Sequence, residues 1–265
     1  MSDGDDFQRL ERQVHDLKLT RSFEHSAEGK KVMDEVFDRR TIMSIYKLMK
    51  LGLVDHLDFP ISTGKEANVF RVVDDEGDLF ALKIFRTTNS SFSAISKYIE
   101  GDTRFKGLSG NKHKVILAWC LKEYKNLCRA MDAKIKVPEP IRFQDNMLLM
   151  QYLGTADMPA PTLKQVELED PAAFYKEIVG AMGKAYRKAE LVHADLSEYN
   201  ILLHEGSPYI IDWGQAMTTE HPNHLEFLRR DVVNINRFFR SWDVKVLEEE
   251  AMLKKIIGVK KNASD

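Results

Sequence analysis

Four polar side chains interrupt apolar stretches of the chain in an order that could support chemistry. His193, Asp195 and Asn200 lie within LVHADLSEYNILL, and Asp212 ends the overlapping segment NILLHEGSPYIID. The second segment is typical of two apolar strands joined by a turn near Gly206. If that hairpin is symmetric about Gly206, Asn200 and Asp212 face each other with Cβ atoms about 5 Å apart. An amide oxygen and a carboxylate at that separation can hold one divalent ion such as Mg²⁺.

Asp195 precedes this pair, on a loop where a carboxylate can serve phosphoryl transfer. That reaction needs one group to orient the attacking oxygen and accept its proton, and other groups to neutralise the phosphates. The alternative is a hairpin whose Asn and Asp side chains only cap turns. The alternative suits any one of these residues alone, whereas the whole set, followed by Trp213 and Gly214, favours a catalytic site.

The composition excludes several classes of protein. The 265 residues include 39 basic and 41 acidic side chains, so any basic surface for nucleic acid must be local. The charged start MSDGDDFQRLERQVHDL and the lack of any run of about 18 apolar residues predict a cytoplasmic protein that does not associate with a membrane. Cys120 and Cys128 are about 12 Å apart on a predicted helix, too far for a disulfide. His221 and His224 have no third ligand nearby, so no zinc site is expected.

The first half of the chain alternates helical and strand patterns. Apolar residues three and four apart within 7–20 and 31–50 predict two helices. NVFRVV and LFALKIF, separated by DDEGD, predict an antiparallel hairpin, and IRFQDNMLLMQYLG predicts a second one around Asp145 and Asn146. Between the hairpins, VILAWCLKEYKNLCRAMDA predicts a helix. The pattern therefore indicates a small antiparallel sheet that is interrupted by one helix.

The second half is mainly helical. The link TADMPAP follows Gly154, and Asp170 with Pro171 is a suitable cap and first turn for a helix that continues to Glu190. Leu253, Ile256 and Ile257 indicate a final helix that packs through one side. Two lobes joined near residue 154 are the expected organisation.

A basic, serine-rich segment covers residues 86–114. It holds five serines, six Lys or Arg residues and two acidic residues. This composition predicts a flexible loop. The loop could contact RNA phosphates or carry a self-phosphorylation site, and the alternative is a solvated loop with neither role.

The catalytic residues resemble those of the protein-kinase superfamily, whose catalytic loop HxDxxxxN and metal motif DFG correspond to HADLSEYN and DWG in this chain. Upstream, STGKEANVF is similar to the loop that covers the phosphates. Lys83 in FALKIF is similar to the strand lysine on the α and β phosphates, and Glu123 in LKEYKNL to its helix partner. Taken alone, Lys83 suits a solubilising residue on an edge strand and Glu123 a solvated helix charge.

The chain departs from the protein-kinase motifs at several positions, and these departures are consistent with one another. STGKEANVF has one glycine, Ala194 replaces the arginine of HRD, and Trp213 replaces the middle residue of DFG. With HPNHLEFLRRDVVNINRFF, these segments closely resemble the Rio family of atypical kinases over residues 50–240. The form STGKEA and the lack of a winged-helix-like start point to its first subfamily, the one without an N-terminal winged helix.

The resemblance implies an α+β, two-lobed, protein-kinase-like fold. The expected parts are an N-terminal helical extension over residues 1–50, an N-lobe with an antiparallel sheet over 51–154, and a mainly helical C-lobe over 155–265. The C-lobe is expected to be trimmed, because about a dozen residues separate Asp212 from the helix near Leu225 and no APE motif follows. A peptide substrate then has little to dock on.

The resemblance also implies a role for each matching residue. Asp195 is expected to be the catalytic base, Asn200 and Asp212 the ligands of Mg²⁺ or Mn²⁺, and Lys83 the contact to the phosphates of ATP, positioned by Glu123. The residues expected to cover the phosphates, through backbone N–H groups, are Ser62, Thr63, Gly64, Lys65 and Glu66. The linker strand MQYLG is expected to read adenine through the backbone of Gln151 and Leu153. The apolar walls, for which plain core residues are the alternative, are Ile61, Val69, Ala81, Met150, Leu202 and Ile211.

The implied function is that of an atypical serine/threonine kinase or ATPase in maturation of the small ribosomal subunit, acting through a phospho-aspartate at Asp212. Its implied partners are the subunit precursor and its RNA, with a protein substrate and self-phosphorylation in the 86–114 loop. An alternative role for Asp212 is metal binding alone. Aminoglycoside and choline phosphotransferases also show HxDxxxxN followed by IDW, so a small-molecule kinase is an alternative. A nucleotide-gated assembly factor without a protein substrate is another.

Overall fold

A computed structural model of the chain describes residues 7–14, 37–64, 66–87 and 112–258. The described residues cluster into two compact units. The first holds the chain up to Tyr124 together with Pro140–Tyr152, and the second holds Lys125–Glu139 and the chain from Leu153 onward.

The first unit is built on a five-stranded sheet with the strand order β1-β2-β3-β5-β4. Every neighbouring pair is antiparallel, as the sequence predicts. The predicted second hairpin is confirmed, because Asp145, with φ of 53°, begins the turn between β4 and β5. The strands are His56–Thr63 (β1), Ala67–Val73 (β2), Leu79–Phe85 (β3), Pro140–Gln144 (β4) and Met147–Gln151 (β5).

Two N-terminal helices cover the core of this sheet. Residues 7–14 form α1 and Arg39–Lys50 form α2. The first predicted helix is therefore present in its described part, whereas the second begins only at Arg39, because Asp38 caps it. The side chain of Asp38 accepts a hydrogen bond from the Thr41 N–H at 2.7 Å and caps α2. Ile45 and Leu48, three positions apart, face a cluster that includes sheet residues. The two helices therefore complete the core of the first unit rather than standing apart from it.

Helix α3, Lys112–Asp132, follows the basic segment and begins slightly earlier than the sequence pattern indicates. The last residues of the predicted 86–114 loop, from Lys112 on, are helical, and residues 88–111 lie outside the described part. Cys120 and Cys128 lie on α3 as free thiols. Burial raises the pKa of the Cys120 thiol well above its ordinary value, which keeps this sulfur unreactive.

The second unit is mainly helical and holds two short antiparallel strand pairs. Its helices are Pro171–Lys184 (α4), His224–Arg240 (α5) and Glu249–Ile257 (α6). Its strands are Leu191–Val192 (β6), Ile201–His204 (β7), Ser207–Ile210 (β8) and Met217–Thr218 (β9). With the first unit, this arrangement confirms the α+β class.

Polar contacts fix the helices of the second unit to one another. Tyr175 on α4 donates to the Asn236 Oδ1 on α5 at 2.9 Å and accepts from the Leu247 N–H at 3.0 Å. The Asn236 Nδ2 donates to the Leu247 carbonyl at 2.9 Å. Because the three groups satisfy one another in a buried position, they fix how the chain enters α6.

The predicted start of α4 is confirmed and its end contains an irregularity. Asp170 accepts from the Ala173 N–H at 2.9 Å, and Pro171 occupies the first turn. After Lys184 the helix continues as a π-helical turn, Ala185–Ala189, and ends at Glu190, which has a left-handed φ of 53°. Such turns are frequent near functional sites, and this one leads directly into β6 and the His193 loop.

In the described part of the chain, no helix is long and apolar enough to span a bilayer.

Candidate active site

Lys83 and Glu123 form a buried ion pair in the first unit. The Lys83 Nζ donates to both carboxylate oxygens of Glu123 at 2.9 Å. Lys83 is 8% exposed and Glu123 is 1% exposed. Lys83 lies on β3, between β2 and β5, so it is not a solubilising lysine on an edge strand. Ion pairs this deeply buried contribute little net stability. The pair is therefore better explained by a role in which Glu123 holds the ammonium group of Lys83 in a fixed position.

The predicted phosphate-covering segment joins β1 to β2. Ser62, Thr63 and Gly64 are exposed, and Lys65 lies outside the described residues. The Gly64 N–H donates to the Ala67 carbonyl at 3.0 Å and to the Asn68 Oδ1 at 3.2 Å. This N–H is therefore engaged within the turn and shapes it, which leaves fewer N–H groups for phosphates than the sequence suggests.

The Glu66 carbonyl holds the end of this segment against β3, because it accepts a hydrogen bond from the Arg86 N–H at 2.9 Å.

Among the residues predicted to contact adenine, the Leu153 carbonyl accepts a hydrogen bond from the Ala160 N–H at 2.9 Å. Gln151 is the last residue of β5 and pairs with Phe80. Of the predicted apolar walls, Ala81 is buried, and the half-buried members are Ile61, Val69, Met150, Leu202 and Ile211.

Asp195 and Asn200 contact each other in the second unit. The Asn200 Nδ2 donates to the Asp195 carbonyl at 2.8 Å and to the Asp195 Oδ2 at 3.2 Å. Burial raises the pKa of Asp195, and the negative charge of Asp212 raises it further, against the opposing effect of the Asn200 hydrogen bond. A raised pKa brings a carboxylate closer to what a general base requires near neutral pH.

The predicted pairing of Asn200 with Asp212 is wrong by one residue. Ile201 lies opposite Ile210, and the Ile211 N–H donates to the Asn200 carbonyl at 3.0 Å. The turn consists of Glu205 and Gly206, both with positive φ, at 48° and 70°. Two such residues form the usual tight hairpin turn, whose centre lies between them and not on the glycine.

The direction of the Asp212 side chain is set by the backbone conformation of Asp212 itself. It has a left-handed φ of 61°, and its side chain is exposed. For a residue with a Cβ this conformation costs about 1 kcal/mol, and such strain concentrates at functional sites. Because the left-handed turn breaks the alternation of the strand, the face on which Asp212 projects is not set by the pairing of β7 with β8.

Buried contacts hold the turn that follows Asp212. The Asn126 Nδ2, on α3, donates to the Trp213 carbonyl at 2.9 Å and to the Ala216 carbonyl at 3.2 Å. The Trp213 Nε1 donates to the Ile210 carbonyl at 3.1 Å. The His193 ring packs edge-on against Trp213, with ring centroids 4.9 Å apart. Asn126 is a functional candidate that the sequence reading missed, because a polar residue on a helix gives no sign of a distant partner.

Asp231 is the second residue that the sequence reading missed. Its carboxylate accepts from the Ala194 N–H at 2.9 Å and from the Leu196 N–H at 2.8 Å, on either side of Asp195. Ala194 has a left-handed φ of 68°, so Asp231 stabilises a strained catalytic loop. A usable signal existed, because Asp231 interrupts the apolar stripe of α5, where a carboxylate is costly without partners.

A pH dependence of stability follows from Asp231. Burial raises its pKa from an ordinary 3.8 to about 7, against the two backbone hydrogen bonds. Between these pH values the unfolded chain has released this proton while the folded protein keeps it. The free energy of unfolding therefore falls as the pH rises from about 4 to about 7. We expect Asp231→Asn to remove up to about 4 kcal/mol of this fall.

Asp231→Asn is also expected to be less stable at low pH, by about 1–3 kcal/mol, since the amide NH₂ cannot accept a hydrogen bond from the second backbone N–H, as the hydroxyl oxygen of a protonated carboxyl can. Urea unfolding at pH 4.5 and pH 8 measures both effects. The matched control is Glu226→Gln, which changes an exposed carboxylate on the same helix. Equal pH dependence in wild type and Asp231→Asn would contradict the assignment.

The residues present fit a Mg²⁺ ion. The amide nitrogen of Asn200 is directed to Asp195, which leaves the Asn200 Oδ1 as the end of the amide that can bind a metal. Asp212 supplies an exposed carboxylate in the same unit. Within the described ranges, no group of three or more His, Cys, Asp or Glu side chains could hold a metal. Two protein oxygens suit Mg²⁺, which usually completes its shell with substrate phosphates and water.

Comparison with known proteins gives one consistent family. The RIO domain matches residues 68–252. A RIO-type serine/threonine-protein kinase Rio1 from Haloferax volcanii is 45% identical over 210 residues, covering 79% of this chain and 72% of that protein. The corresponding Methanocaldococcus jannaschii protein is 37% identical, and the match covers 91% of this chain and 81% of that protein. Human serine/threonine-protein kinase RIO1 is 41% identical over 81% of this chain, which spans 39% of the human protein.

Among solved structures, the fold is similar to that of the Rio2 kinase from Chaetomium thermophilum in its ADP/Mg²⁺-phosphoaspartate complex. The TM-score is 0.63 at 18% identity, with 97% of this chain and 87% of that chain covered. At this identity the likeness concerns the fold, which is that of a protein kinase.

Proposed function

The chain belongs to the RIO-domain family, and on that premise we propose that it is an ATP-dependent protein kinase of the serine/threonine type that uses Mg²⁺. The observation that carries the proposal is the bond from Asn200 to Asp195. It positions a carboxylate of raised pKa while leaving an amide oxygen for the metal. The relatives named as serine/threonine kinases favour this activity over a small-molecule phosphotransferase.

In the proposed reaction each group acts on one part of the substrates. Lys83, held by Glu123, contacts the phosphates of ATP as a fixed positive charge. Asp195 accepts the proton of the attacking hydroxyl or water. Asn200 and Asp212 would hold Mg²⁺, which would neutralise the charge that develops on the phosphates. No dedicated acceptor pocket is required for a reaction that transfers phosphate to water.

We further propose that Asp212 takes the γ-phosphate before water removes it. A carboxylate oxygen of Asp212 attacks the γ-phosphorus, the bond from that phosphorus to the oxygen of ADP breaks, and an acyl phosphate forms. Water, deprotonated by Asp195, then releases inorganic phosphate and regenerates Asp212. Covalent catalysis by Asp is known among ATPases, and the phosphoaspartate in the complex of the similar Rio2 kinase supports this step.

We propose that the biological setting is the maturation of the small ribosomal subunit in the cytoplasm. The expected partners are the subunit precursor and its RNA. In this setting the protein could act as an assembly factor whose binding is switched by ATP turnover, with no protein substrate.

The deciding experiment measures ATP turnover by the full chain with Mg²⁺, with and without purified small-subunit precursor. Strong stimulation by the precursor, with no labelled precursor protein, supports the switch, and labelled precursor protein supports a kinase. Absence of turnover under both conditions would contradict the proposed activity.

The basic segment 86–114 gives a prediction for the RNA contact. Its six positive and two negative charges give a local net charge of +4 in a chain of net charge −2. Replacing Lys97, Arg104, Lys106 and Lys112 by Ser is expected to weaken binding to precursor RNA and to reduce the salt dependence, by about 0.7 in slope per lost phosphate contact. Fluorescence anisotropy between 50 and 300 mM KCl measures both. An unaltered slope would leave a solvated loop as the explanation.

A further inference from the structure

A cleft in the second unit lies outside the proposed catalytic groups. Its volume is about 400 Å³, and its lining includes Glu198, Lys164, Arg237 and Trp242. Glu198 belongs to the loop between Asp195 and Asn200, whereas Arg237 and Trp242 come from the end of α5 and the turn after it. The cleft is large enough to hold a nucleotide-sized group.

Glu198 gives this cleft an acceptor without a donor. The residue is 8% exposed, and its Oε2 has no hydrogen-bond partner among the described residues. The neighbouring contact, from the Lys164 N–H to the Glu198 carbonyl at 3.3 Å, involves only the main chain. Buried polar atoms are nearly always paired, so an unpaired carboxylate oxygen on a residue that lines a cleft indicates a ligand that supplies N–H groups.

Two cations and an aromatic ring line the same cleft. Lys164 and Arg237 are both exposed, and neither forms an ion pair with another described residue. Trp242 is half-buried and packs edge-on against Phe238, with ring centroids 6.4 Å apart, which holds the indole in place. The ligand should therefore combine N–H donors with an anionic group and a flat ring that can stack.

We propose that this cleft binds a guanine nucleotide. Among the common bases, guanine presents two adjacent N–H donors on its Watson–Crick edge, N1–H and N2–H, which match a carboxylate. Adenine, cytosine and uracil each place an acceptor beside their donor, and that acceptor repels Glu198. The base stacks on Trp242, as unpaired bases do on aromatic side chains, and the phosphate pairs with Lys164 and Arg237. A basic peptide fits less well, since the two cations repel it.

The guanine can belong to single-stranded RNA or to a free nucleotide. The recognition is the same in both cases, and it does not depend on phosphoryl transfer. The site can therefore be tested in a chain that carries Asp195→Asn, with its ATP site saturated by AMP-PNP and Mg²⁺. If the kinase proposal fails, this test still gives an answer, and the reverse also holds.

The experiment compares binding of GMP with AMP, and of a uridine nonamer carrying one central guanine with the same nonamer carrying adenine. Titration calorimetry serves for the mononucleotides and fluorescence anisotropy for the RNAs. We expect guanine to bind at least about 10-fold more tightly than adenine, within the range for a bidentate base contact. Glu198→Gln should abolish the preference, since its amide presents one donor and one acceptor. Glu205→Gln, an exposed carboxylate on the β7–β8 turn, should leave it unchanged.

A second variant covers the case in which Glu198→Gln does not fold. Trp242→Ala is expected to weaken guanine and adenine RNA by a similar factor of about 10, through lost stacking. A preference seen with both GMP and RNA assigns the cleft to guanine in either form, and a preference seen with RNA alone assigns it to guanine in a strand. Lack of any preference, its persistence in Glu198→Gln, or binding of a basic peptide in competition with RNA would overturn the proposal.

Discussion

Asp195→Asn is expected to slow phosphate release by about 10²–10⁴-fold, the usual effect of removing a general base, while ATP affinity stays nearly unchanged. The base acts on the acceptor oxygen and has no role in holding the nucleotide. The asparagine oxygen can still accept the Asn200 bond that Asp195 Oδ2 accepts at 3.2 Å. Because the loop keeps this contact, the loss in rate reports the missing base and not a collapsed site.

Calorimetry with ATP and Mg²⁺ measures the affinity, and released phosphate measures the turnover. Asp157→Asn, an exposed carboxylate of the same unit, is the matched control. In the wild type, turnover should fall with acid as Asp195 takes up a proton, and at a higher pH than for an ordinary aspartate, because burial raises its pKa. The variant should lack this acid limb. Turnover equal to wild type would remove Asp195 from the role of base.

Asp212→Asn is expected to abolish a hydroxylamine-labile label completely. After brief incubation with γ-labelled ATP, the wild type should carry an acyl phosphate, which hydroxylamine cleaves while sparing phosphoserine. An amide cannot form that bond, so the variant should show no such label. It should also bind Mg²⁺ more weakly, because a neutral oxygen replaces a carboxylate.

The two aspartate variants test each other. A carboxylate needs no base to attack phosphorus, so Asp195→Asn should still form the acyl phosphate at Asp212 and should release it slowly. The label is therefore expected to accumulate in Asp195→Asn and to be missing in Asp212→Asn. Label that resists hydroxylamine entirely, or that persists in Asp212→Asn, would return Asp212 to metal binding alone.

The parts of the site that depend on local pattern could be predicted from the sequence. Lys83 on its strand and Glu123 on its helix are such residues, and the two meet in the structure as a buried ion pair. The position of Asp212 relative to Asn200 could be predicted only approximately. A turn of Glu205 and Gly206 shifts the β7–β8 register by one residue from the predicted one. The turn type depends on backbone angles that the amino-acid sequence alone does not specify.

The partners of the supporting residues could not be predicted, for a different reason. Asp231 reaches Ala194 and Leu196 across 37 and 35 positions of the chain. Asn126 reaches Trp213 across 87 positions. Nothing in the spacing of one segment encodes a partner that far away. Tertiary packing brings these groups together, and only the structure identifies them as supports of the catalytic loop and the turn after Asp212.

Ala194 has a consequence for regulation. Many protein kinases order a segment near the active site when an arginine binds a phosphate added to it. Here the arginine position of that motif holds a buried alanine, and the loop is fixed instead by the internal carboxylate of Asp231. A catalytic loop assembled in this way is in its working arrangement as soon as the chain has folded. This catalytic loop is therefore not expected to need phosphorylation of a neighbouring segment before it can act.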